Sequence, residues 1–322
     1  MELFLAILLF AVGLALIVKG GDFFVDAASW IAEVSGIPKL IVGATIVSVA
    51  TTLPELLVSV IAAASGDPAG IDTAIGNAVG SVTANIGLIM AISLIAMPSV
   101  IKRKDYALKS ALMLGAGVVI LVFGVLFQGV GVIASVILLA ILVLAIIENV
   151  NGARRAMAEG SDDEKPEVSR KIIIINIVKF VVGVAGIVIG AKLMVDNATV
   201  IATKLGVADR IIGLTIVAIG TSLPELVTTI TAIVKKQSSL SVGNIIGANI
   251  IDLAMILPAC ALVSGGTLPI PTTFYIDVAV CIVVGLIALI PTLITKRFRR
   301  WQGIALLAVY LTYVVLMCVG VF

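Results

Sequence analysis

Long apolar runs dominate the sequence, and several of them reach the length of about 18 residues that marks a candidate membrane-spanning helix. The chain is 61% hydrophobic and only 12% charged, whereas about 25% of the residues of an average soluble domain are charged. A soluble fold of this size could not hide so much apolar surface in one core. We therefore predict an all-α integral membrane protein.

The apolar runs divide into ten predicted spans, with five in each half of the chain. The only long polar segment, residues 151–170, lies between the fifth and the sixth span and has the composition of a solvated linker. We therefore predict a first five-helix repeat in residues 1–150 and a second in residues 171–322. The predicted spans are residues 3–32, 38–65, 72–98, 108–128, 131–150, 171–202, 208–234, 239–264, 273–295 and 301–321.

The two halves of the sequence repeat each other. The string "ATTLPELLVSVIA" (50–62) returns as "GTSLPELVTTITA" (220–232), at an offset of 170 residues. A second string, "IGNAVGSVTANIGL" (75–88), returns as "VGNIIGANIIDLAM" (242–255), at an offset of 167 residues. Because each half has an odd number of predicted spans, the second half must cross the membrane in the opposite direction. Such inverted-topology repeats are typical of secondary transporters, which bind their substrates near the midplane of the bilayer.

Glu55 and Glu225 occupy matched positions in the repeat, and each follows a proline inside an apolar run. A charge near the centre of a bilayer costs at least about 2.5 kcal/mol. Two matched carboxylates therefore need compensation, which a bound cation or a proton would supply. Because proline lacks an N–H, we also expect the main-chain oxygens of Ala50 and Gly220 to be free of their helical hydrogen bonds.

Further candidate positions lie at helical spacing around each glutamate. Residues three, four and seven apart share one face of a helix, so these positions can line the same stripe as the carboxylates. Carboxylates, hydroxyls and main-chain oxygens together make an all-oxygen site, which suits Ca²⁺ or Na⁺. The positions are Ser48, Thr51 and Thr52 in the first half and Ala218, Thr221 and Ser222 in the second.

The second repeated string adds amide and carboxylate side chains. Asn77, Ser81 and Asn85 are spaced four residues apart, which places them on one side of a helix. Each half also contains a G-x-x-x-G pair in this string, which predicts a close approach of helices. The counterparts of the three polar residues are Asn244, Ala248 and Asp252, and the glycine pairs are Gly76 with Gly80 and Gly243 with Gly247.

Several classes of function are disfavoured by composition. The sequence has no histidine, which excludes Ser-His and Cys-His catalysis and His-ligated zinc. Its three cysteines lie singly in apolar runs and carry no disulfide or redox signature. A net charge of +2, without a basic stripe interleaved with aromatic residues, argues against nucleic-acid binding. We expect a transporter in the lipid bilayer that is not an enzyme and has no cofactor.

Basic residues concentrate on one predicted side of the membrane. They lie in the connections after spans 3, 5, 7 and 9, whereas the connections after spans 2, 4 and 8 have no Lys or Arg. Because cytoplasmic loops carry the excess of basic residues, we predict a multi-pass protein of the cell membrane with both termini outside and residues 151–170 in the cytoplasm. The exceptions to this distribution, after span 6, are Lys204 and Arg210.

The repeated motifs resemble a known group of transporters. "GTSLPEL" with "GNIIGANIID", and "TTLPEL" with "GNAVGSVTAN", are similar to the two α-repeats of the sodium/calcium exchangers, members of the cation/Ca²⁺ antiporter superfamily. The likeness covers essentially the whole chain and indicates the prokaryotic type. It implies exchange of Na⁺ for Ca²⁺ by alternating access in a protein that functions as a monomer, with spans 1 and 6 sliding across the other spans.

The resemblance also implies a central cluster of four cation sites. Glu55 and Glu225 would bind Ca²⁺ together with main-chain oxygens near Thr51 and Thr221. Na⁺ would share these carboxylates, and Asn85 with Asp252 would complete the middle site. The remaining predicted ligands contribute hydroxyl, amide or main-chain oxygens, and they are Ser48, Thr52, Asn77, Ser81, Ala218, Ser222 and Asn244.

Two positions depart from the pattern of the family. Ala248 stands where many relatives have Ser, so one hydroxyl ligand is missing and one Na⁺ site is expected to be weaker. Asp252 is the residue type of the potassium-dependent relatives, although prokaryotic members often have Asp as well. K⁺ dependence therefore stays open.

The nearest alternative is an H⁺/Ca²⁺ antiporter. Those relatives typically have a G-N-A-x-E motif where this chain has T-T-L-P-E and T-S-L-P-E, and the hydroxyls favour sodium. An ion channel would use similar oxygens, but an inverted repeat fits alternating access better than a continuous pore. An intramembrane protease is disfavoured because the chain lacks histidine, a G-x-G-D string and a plausible pair of aspartates.

Overall fold

The computed structural model describes residues 2–98, 103–159, 169–205 and 218–319, and these residues are almost entirely helical. Nine of the helices in these ranges are long and apolar enough to cross a membrane. We number the helices α1 (Glu2–Ser35), α2 (Lys39–Ala64), α3 (Pro68–Ala96), α4 (Arg103–Phe127), α5 (Val132–Glu159), α6 (Arg170–Lys204), α7 (Leu223–Val234), α8 (Ser238–Val263), α9 (Phe274–Thr295) and α10 (Arg300–Cys318).

The helices follow the predicted spans, of which part of the seventh and the last two residues of the tenth (320–321) extend beyond the described residues. Helix α7 begins after a four-residue helix, Ala218–Thr221, and residues 208–217 of the predicted span lie outside the described residues. The loop after α4 and the loop after α8 pair through two short antiparallel strands, β1 (Gly129–Val130) and β2 (Leu268–Pro269). The sequence does not predict these strands.

The polar segment between the halves is partly helical. Helix α5 continues to Glu159, nine residues beyond the predicted end of span 5, because the string "NGARRAMAE" is rich in residues that favour helices. An ion pair between Arg155 and Glu148 (2.7 Å) lies on this extension. Helix α6 begins after Ser169, whose side chain caps it by accepting from the Ile172 N–H over 3.4 Å. Residues 160–168 lie outside the described residues.

Helices α1 and α6 cross at four glycines. A Cβ on Gly20 would lie 2.8 Å from the Gly183 carbonyl oxygen, and a Cβ on Gly13 would lie 2.8 Å from that of Gly190. In the repeat, Gly13 aligns with Gly183 and Gly20 with Gly190. The contacts are crossed with respect to this alignment, because Gly13 meets Gly190 and Gly20 meets Gly183. The early residue of one helix meets the late residue of its partner, so the two helices are antiparallel. The two halves therefore have opposite topology.

Burial separates an interior pair of helices from the outer helices. In α3 and α8, 78% and 83% of an 18-residue apolar window is buried by the rest of the protein, whereas α1, α5, α6 and α10 reach only 22%, 22%, 11% and 22%. The second repeated string of each half lies in α3 and α8, so the matched polar residues lie in the interior. The α1–α6 pair packs along one side and leaves most of its apolar surface to lipid.

Three of the interior helices contain a π-helical turn, a feature that the sequence does not predict. The turns are Gly43–Val47 in α2, Asn85–Met90 in α3 and Asp252–Ile256 in α8. A π-helical turn interrupts the regular pattern of α-helical hydrogen bonds and is frequent at functional sites. Asn85 and Asp252, which are matched in the repeat, each begin such a turn.

Candidate functional site

Glu55 in α2 and Glu225 in α7 lie together in the interior, and each is only 1% exposed. Their carboxyl groups lie close enough to interact electrostatically, and Asp252 lies within range of both. The Thr52 hydroxyl donates to Glu225 Oε1 over 3.3 Å. The second carboxylate oxygen, Oε2, of each glutamate is buried without a hydrogen-bond partner among the described residues. The two glutamates therefore present free acceptor oxygens in the interior, with the Asp252 carboxylate nearby.

Five described acidic residues form salt bridges away from this cluster, and they are Glu33, Glu148, Asp196, Asp22 and Asp26. The described residues also contain no cage built of Asp, Glu and Cys side chains alone. A cation bound at the glutamates would thus take part of its coordination from hydroxyl, amide and main-chain oxygens.

Hydroxyl groups connect the two halves around the glutamates. The Thr51 hydroxyl donates to Asn244 Oδ1 over 3.2 Å, and the Ser222 hydroxyl donates to the Ser81 hydroxyl over 3.3 Å. All four side chains are buried. Each of these bonds joins a residue of one half to a residue of the other, so the site lies at the interface between the repeats.

The matched amides Asn77 and Asn244 have different partners. Asn77 Nδ2 donates to the Glu55 main-chain oxygen (3.2 Å) and to the Ser59 hydroxyl (2.9 Å). In the second half, Asn244 Nδ2 and the hydroxyl of Thr229, the counterpart of Ser59, are buried without partners among the described residues. Asn77 therefore holds the helix that carries Glu55, whereas Asn244 accepts from Thr51 across the interface.

Asn85 and Asp252 lie one helix away from the glutamates, each at the start of a π-helical turn. Both are only 1% exposed, and Oδ1 of each has no hydrogen-bond partner among the described residues. Asn85 Nδ2 donates to Asn249 Oδ1 over 3.0 Å. Asn249 is not among the predicted site residues, because its counterpart in the repeat is the apolar Val82.

Ser48, Ala218 and Ala248 complete the set of positions taken from the repeat. The Ser48 hydroxyl donates to the Thr45 main-chain oxygen (3.1 Å), and the Ser48 main-chain oxygen accepts from Thr51 (3.4 Å). Ala218 begins the four-residue helix before α7, and only its backbone is described. Ala248 is fully buried, and its methyl group supplies no oxygen ligand.

The two prolines differ, although the sequence predicts equivalent effects. Helix α2 continues through Pro54 without a break. In the second half the helix is interrupted at Ser222, and Pro224 lies in the first turn of α7, where the missing N–H of proline would have no helical acceptor. The predicted release of main-chain oxygens is thus accompanied by a visible break only beside Glu225.

The G-x-x-x-G pairs also differ. A Cβ on Gly243 would lie 2.1 Å from the Leu40 main-chain oxygen, and a Cβ on Gly247 would lie 2.5 Å from the Ser48 hydroxyl. This pair permits the close approach of α8 to α2, as predicted. Gly76 and Gly80 make no comparably close approach within the described part of the chain, and they border a cavity instead.

That cavity has a volume of about 470 Å³ and extends from the surface to the predicted site. Its inner wall includes Asn77, Ser81 and Thr221, while Asp72 and Asp277 line it near the starts of α3 and α9. The Tyr313 hydroxyl donates to Asp277 Oδ1 over 2.5 Å. The cavity therefore connects the surface to the hydroxyl-bearing residues Ser81 and Thr221, and acidic residues line its outer part.

Comparison with known proteins assigns the family. The family model described as "Sodium/calcium exchanger protein" matches residues 5–149 and again residues 175–319. The chain belongs to the sodium/calcium exchanger family. The prediction from the repeated motifs is thereby confirmed.

Individual relatives align with most of the chain. Inner membrane protein YrbG of Escherichia coli is 35% identical in an alignment 291 positions long that covers 88% of this chain and 87% of the relative. Sodium/calcium exchanger MaX1 of Methanosarcina acetivorans is 31% identical in an alignment 353 positions long, gaps included, that covers 96% of this chain and 97% of the relative. A structure of the sodium-calcium exchanger NCX_Mj, soaked with Na⁺ and Sr²⁺, has a TM-score of 0.83 at 31% identity and covers 97% of this chain and 99% of its own.

Membership in the sodium/calcium exchanger family, together with the apolar helices, makes this chain a multi-pass membrane transporter. Membership in this family assigns it the general activity of cation/Ca²⁺ antiport. The all-helical prediction is confirmed as well, since both the described helices and the likeness to NCX_Mj agree with it.

Proposed function

We propose that the protein exchanges Na⁺ for Ca²⁺ by alternating access at one site, built around Glu55 and Glu225. The observation that carries this proposal is the pair of buried, matched carboxylates, each with an oxygen that has no hydrogen-bond partner among the described residues. In an apolar interior such a pair is stabilised when a cation neutralises it. One Ca²⁺ carries the charge that balances both carboxylates.

Competition for the same oxygens would couple the two ions. Ca²⁺ requires six to eight oxygen ligands at about 2.3–2.6 Å, so it must use most of the oxygens at this interface. Na⁺ ions that occupy the same carboxylates exclude Ca²⁺, and the gradient of one ion then drives movement of the other. The proposed ligands are Glu55, Glu225, Asp252, Asn85, Ser48, Thr51, Thr52, Ser81, Ala218, Thr221 and Ser222, with Asn77 and Asn244 as amide contributors.

The proposed movement is a displacement of the α1–α6 pair against the other helices. Two features support it: both helices are little buried by the rest of the protein, and they cross at glycines, which contribute no side chains of their own. With both termini outside and the linker in the cytoplasm, the cavity beside Asp72 and Asp277 opens to the outside. The structure would then correspond to a state accessible from outside in a cell-membrane protein that works as a monomer.

Proton coupling is the second candidate, and the burial of two carboxyl groups, Glu55 and Glu225, in the same interior favours it. One of two neighbouring buried carboxyl groups can hold a proton when no cation is bound. The hydroxyl groups of Thr51, Thr52 and Ser222 in the same interface favour Na⁺, because they supply neutral oxygens that a proton does not need.

Uptake of radioactive Ca²⁺ into proteoliposomes tests the proposal. Vesicles loaded with Na⁺, with K⁺ or with acid are diluted into the same Ca²⁺ solution at matched ionic strength. We expect rapid uptake from Na⁺-loaded vesicles only, or from those loaded with both Na⁺ and K⁺ if the exchange requires K⁺. Uptake that follows the pH gradient and ignores the Na⁺ gradient would overturn sodium coupling in favour of proton coupling.

A further inference from the structure

Three buried side chains from three helices form a hydrogen-bonded chain behind the predicted middle site. Asn249 Nδ2 (α8) donates to the Met113 thioether (α4) over 3.5 Å, and Asn85 Nδ2 (α3) donates to Asn249 Oδ1 over 3.0 Å. Met113, Asn249 and Asn85 are at most 5% exposed. The chain ends at Asn85 Oδ1, which is buried and has no partner among the described residues.

The chemistry of the thioether fixes the donor-to-acceptor direction of these two hydrogen bonds. A thioether can accept a hydrogen bond but cannot donate one, so Asn249 must turn its NH₂ group towards Met113. The Asn249 carbonyl oxygen then faces Asn85, and Asn85 must donate a hydrogen bond to it from its own NH₂ group. If either amide were flipped, two acceptors would face each other in the interior, and both would lack a buried hydrogen bond. Only one orientation of each amide therefore allows both hydrogen bonds to form.

This orientation matters because an amide has two unlike ends. Its carbonyl oxygen binds a cation, whereas its NH₂ group repels one. The counterpart of Asn85 is Asp252, a carboxylate whose two oxygens are both suitable ligands, so it needs no such alignment. The counterpart of Asn249 is the apolar Val82. The aligning amide, Asn249, thus partners the amide ligand of the other half, and the repeat-related position in the first half is apolar.

We propose that Asn249 is a positioning residue: held by Met113, it orients the Asn85 amide so that Oδ1 faces the transported cation. The proposal rests on the proposed function, because it takes Asn85 as a cation ligand. It assigns a role in cation affinity to two residues, Asn249 and Met113, that need not touch the ion.

The test is a double-mutant cycle between Asn249 and Asn85, measured as the half-saturating concentrations of Ca²⁺ and Na⁺ for exchange in proteoliposomes. Asn249→Leu keeps the branching at Cγ and removes the hydrogen bonds. We expect it to raise the half-saturating concentration of Ca²⁺, of Na⁺ or of both by about tenfold, as for other residues that orient metal ligands. In Asn85→Asp protein either side-chain oxygen can face the ion. There, the same Asn249→Leu change should alter affinity by less than about twofold.

Two further variants keep the test decisive if Asn249→Leu does not fold, which size-exclusion chromatography in detergent would reveal. Met113→Leu preserves shape and removes only the acceptor, so it should weaken affinity by about two- to threefold, and this effect should vanish in Asn85→Asp protein. The matched control is Val82→Ala, which changes packing at the repeat-related position. It should leave the half-saturating concentrations unchanged.

The outcomes separate this proposal from the proposed function. If Asn85→Leu leaves exchange and cation affinity unchanged, Asn85 is not a ligand and that part of the proposed site is wrong. If Asn85→Leu weakens affinity but Asn249→Leu and Met113→Leu do not, the positioning role is overturned while the site stands. Equal effects of Asn249→Leu in both backgrounds would also overturn it, because a purely structural role does not depend on the chemistry of residue 85.

Discussion

The Thr52 hydroxyl donates to the Glu225 carboxylate over 3.3 Å and so joins the first half of the protein to the second. The repeat-related hydroxyl, that of Ser222, does not mirror this bond and donates to Ser81 instead. Two halves with similar sequences are therefore arranged differently at the same site. Alternating access requires such a difference, since the halves exchange roles when the protein changes the side to which it opens.

Thr52→Val should weaken Ca²⁺ affinity, because it keeps the shape of the side chain and removes the donor to Glu225. Hydrogen bonds to charged groups are worth about 1.5–3 kcal/mol, so we expect a loss of at least about tenfold. Thr52→Ser restores a hydroxyl and should recover most of the affinity. The measurement is the half-saturating Ca²⁺ concentration for uptake, and equal behaviour of the Val and Ser variants would contradict the assigned bond.

Neutralising either buried glutamate should nearly abolish exchange. Glu55→Gln and Glu225→Gln keep the size of the side chain but remove one of the two central carboxylates that bind Ca²⁺, so we expect Ca²⁺ uptake to fall by at least about 100-fold. The matched control is Glu33→Gln at the exposed ion pair with Lys39, which should retain uptake. Substantial exchange in either buried variant would rule out a site shared by both carboxylates.

Ala248→Ser should strengthen competition by Na⁺. The change adds a hydroxyl at the buried position that corresponds to Ser81, and a neutral oxygen there suits Na⁺. We expect the Na⁺ concentration that halves Ca²⁺ uptake to decrease by about two- to fivefold. An unchanged value would show that position 248 does not contribute to a Na⁺ site.

The Lys235 side chain ties the end of α7 to α1 and should restrain transport. Its ammonium group donates to Asp26 Oδ1 (2.8 Å) and to the Asp22 main-chain oxygen (2.9 Å). The repeat-related Asp196 pairs instead with Lys192 of its own helix, so no equivalent tie exists for α6 in the described residues. Partly exposed ion pairs contribute about 0.2–1 kcal/mol, so Lys235→Met should raise turnover by up to about fivefold, whereas Lys192→Met should not. A lower turnover in Lys235→Met would contradict the restraint.

Adding a methyl group at the α1–α6 crossing should slow exchange without removing the binding site. A Cβ on Gly20 would lie 2.8 Å from main-chain atoms of α6, closer than normal van der Waals contact, so Gly20→Ala must separate the two helices. We expect a loss of turnover of about tenfold or more, with Ca²⁺ binding to the purified protein retained. Gly115→Ala, at a position with open space among the described residues, is the control. Normal turnover in Gly20→Ala would show that the close crossing is dispensable.

Much of the fold was predictable because membrane insertion leaves few choices. Apolar runs of sufficient length must form helices in lipid, and the internal repeat fixed their number and opposite directions. The same repeat identified Glu55, Glu225, Asn85 and Asp252. An ionisable or amide side chain is costly in an apolar run, so its recurrence in both halves indicates a function. The structure places all four in the buried interior.

The features that could not be predicted have no counterpart in the repeat or in residue type. A π-helical turn adds one residue to a helix without changing its composition, so the turns at Asn85 and Asp252 leave no trace in the hydrophobic pattern. The repeat does not indicate Asn249 as a site residue, because comparison of the halves identifies only matched polar residues and the counterpart of Asn249 is Val82. The different partners of Asn77 and Asn244 reflect the conformation of the protein, which a symmetric sequence pattern does not encode.

The central claim is that Na⁺ and Ca²⁺ compete for the same two carboxylates. Equilibrium binding of radioactive Ca²⁺ to the purified protein tests it most directly, with Na⁺ raised while choline keeps the ionic strength constant. We predict that Na⁺ increases the apparent Kd for Ca²⁺ more steeply than in proportion to its concentration, and that the maximum amount of bound Ca²⁺ stays constant. Ca²⁺ binding that is indifferent to Na⁺, or a maximum that falls at constant Kd, would contradict the shared site.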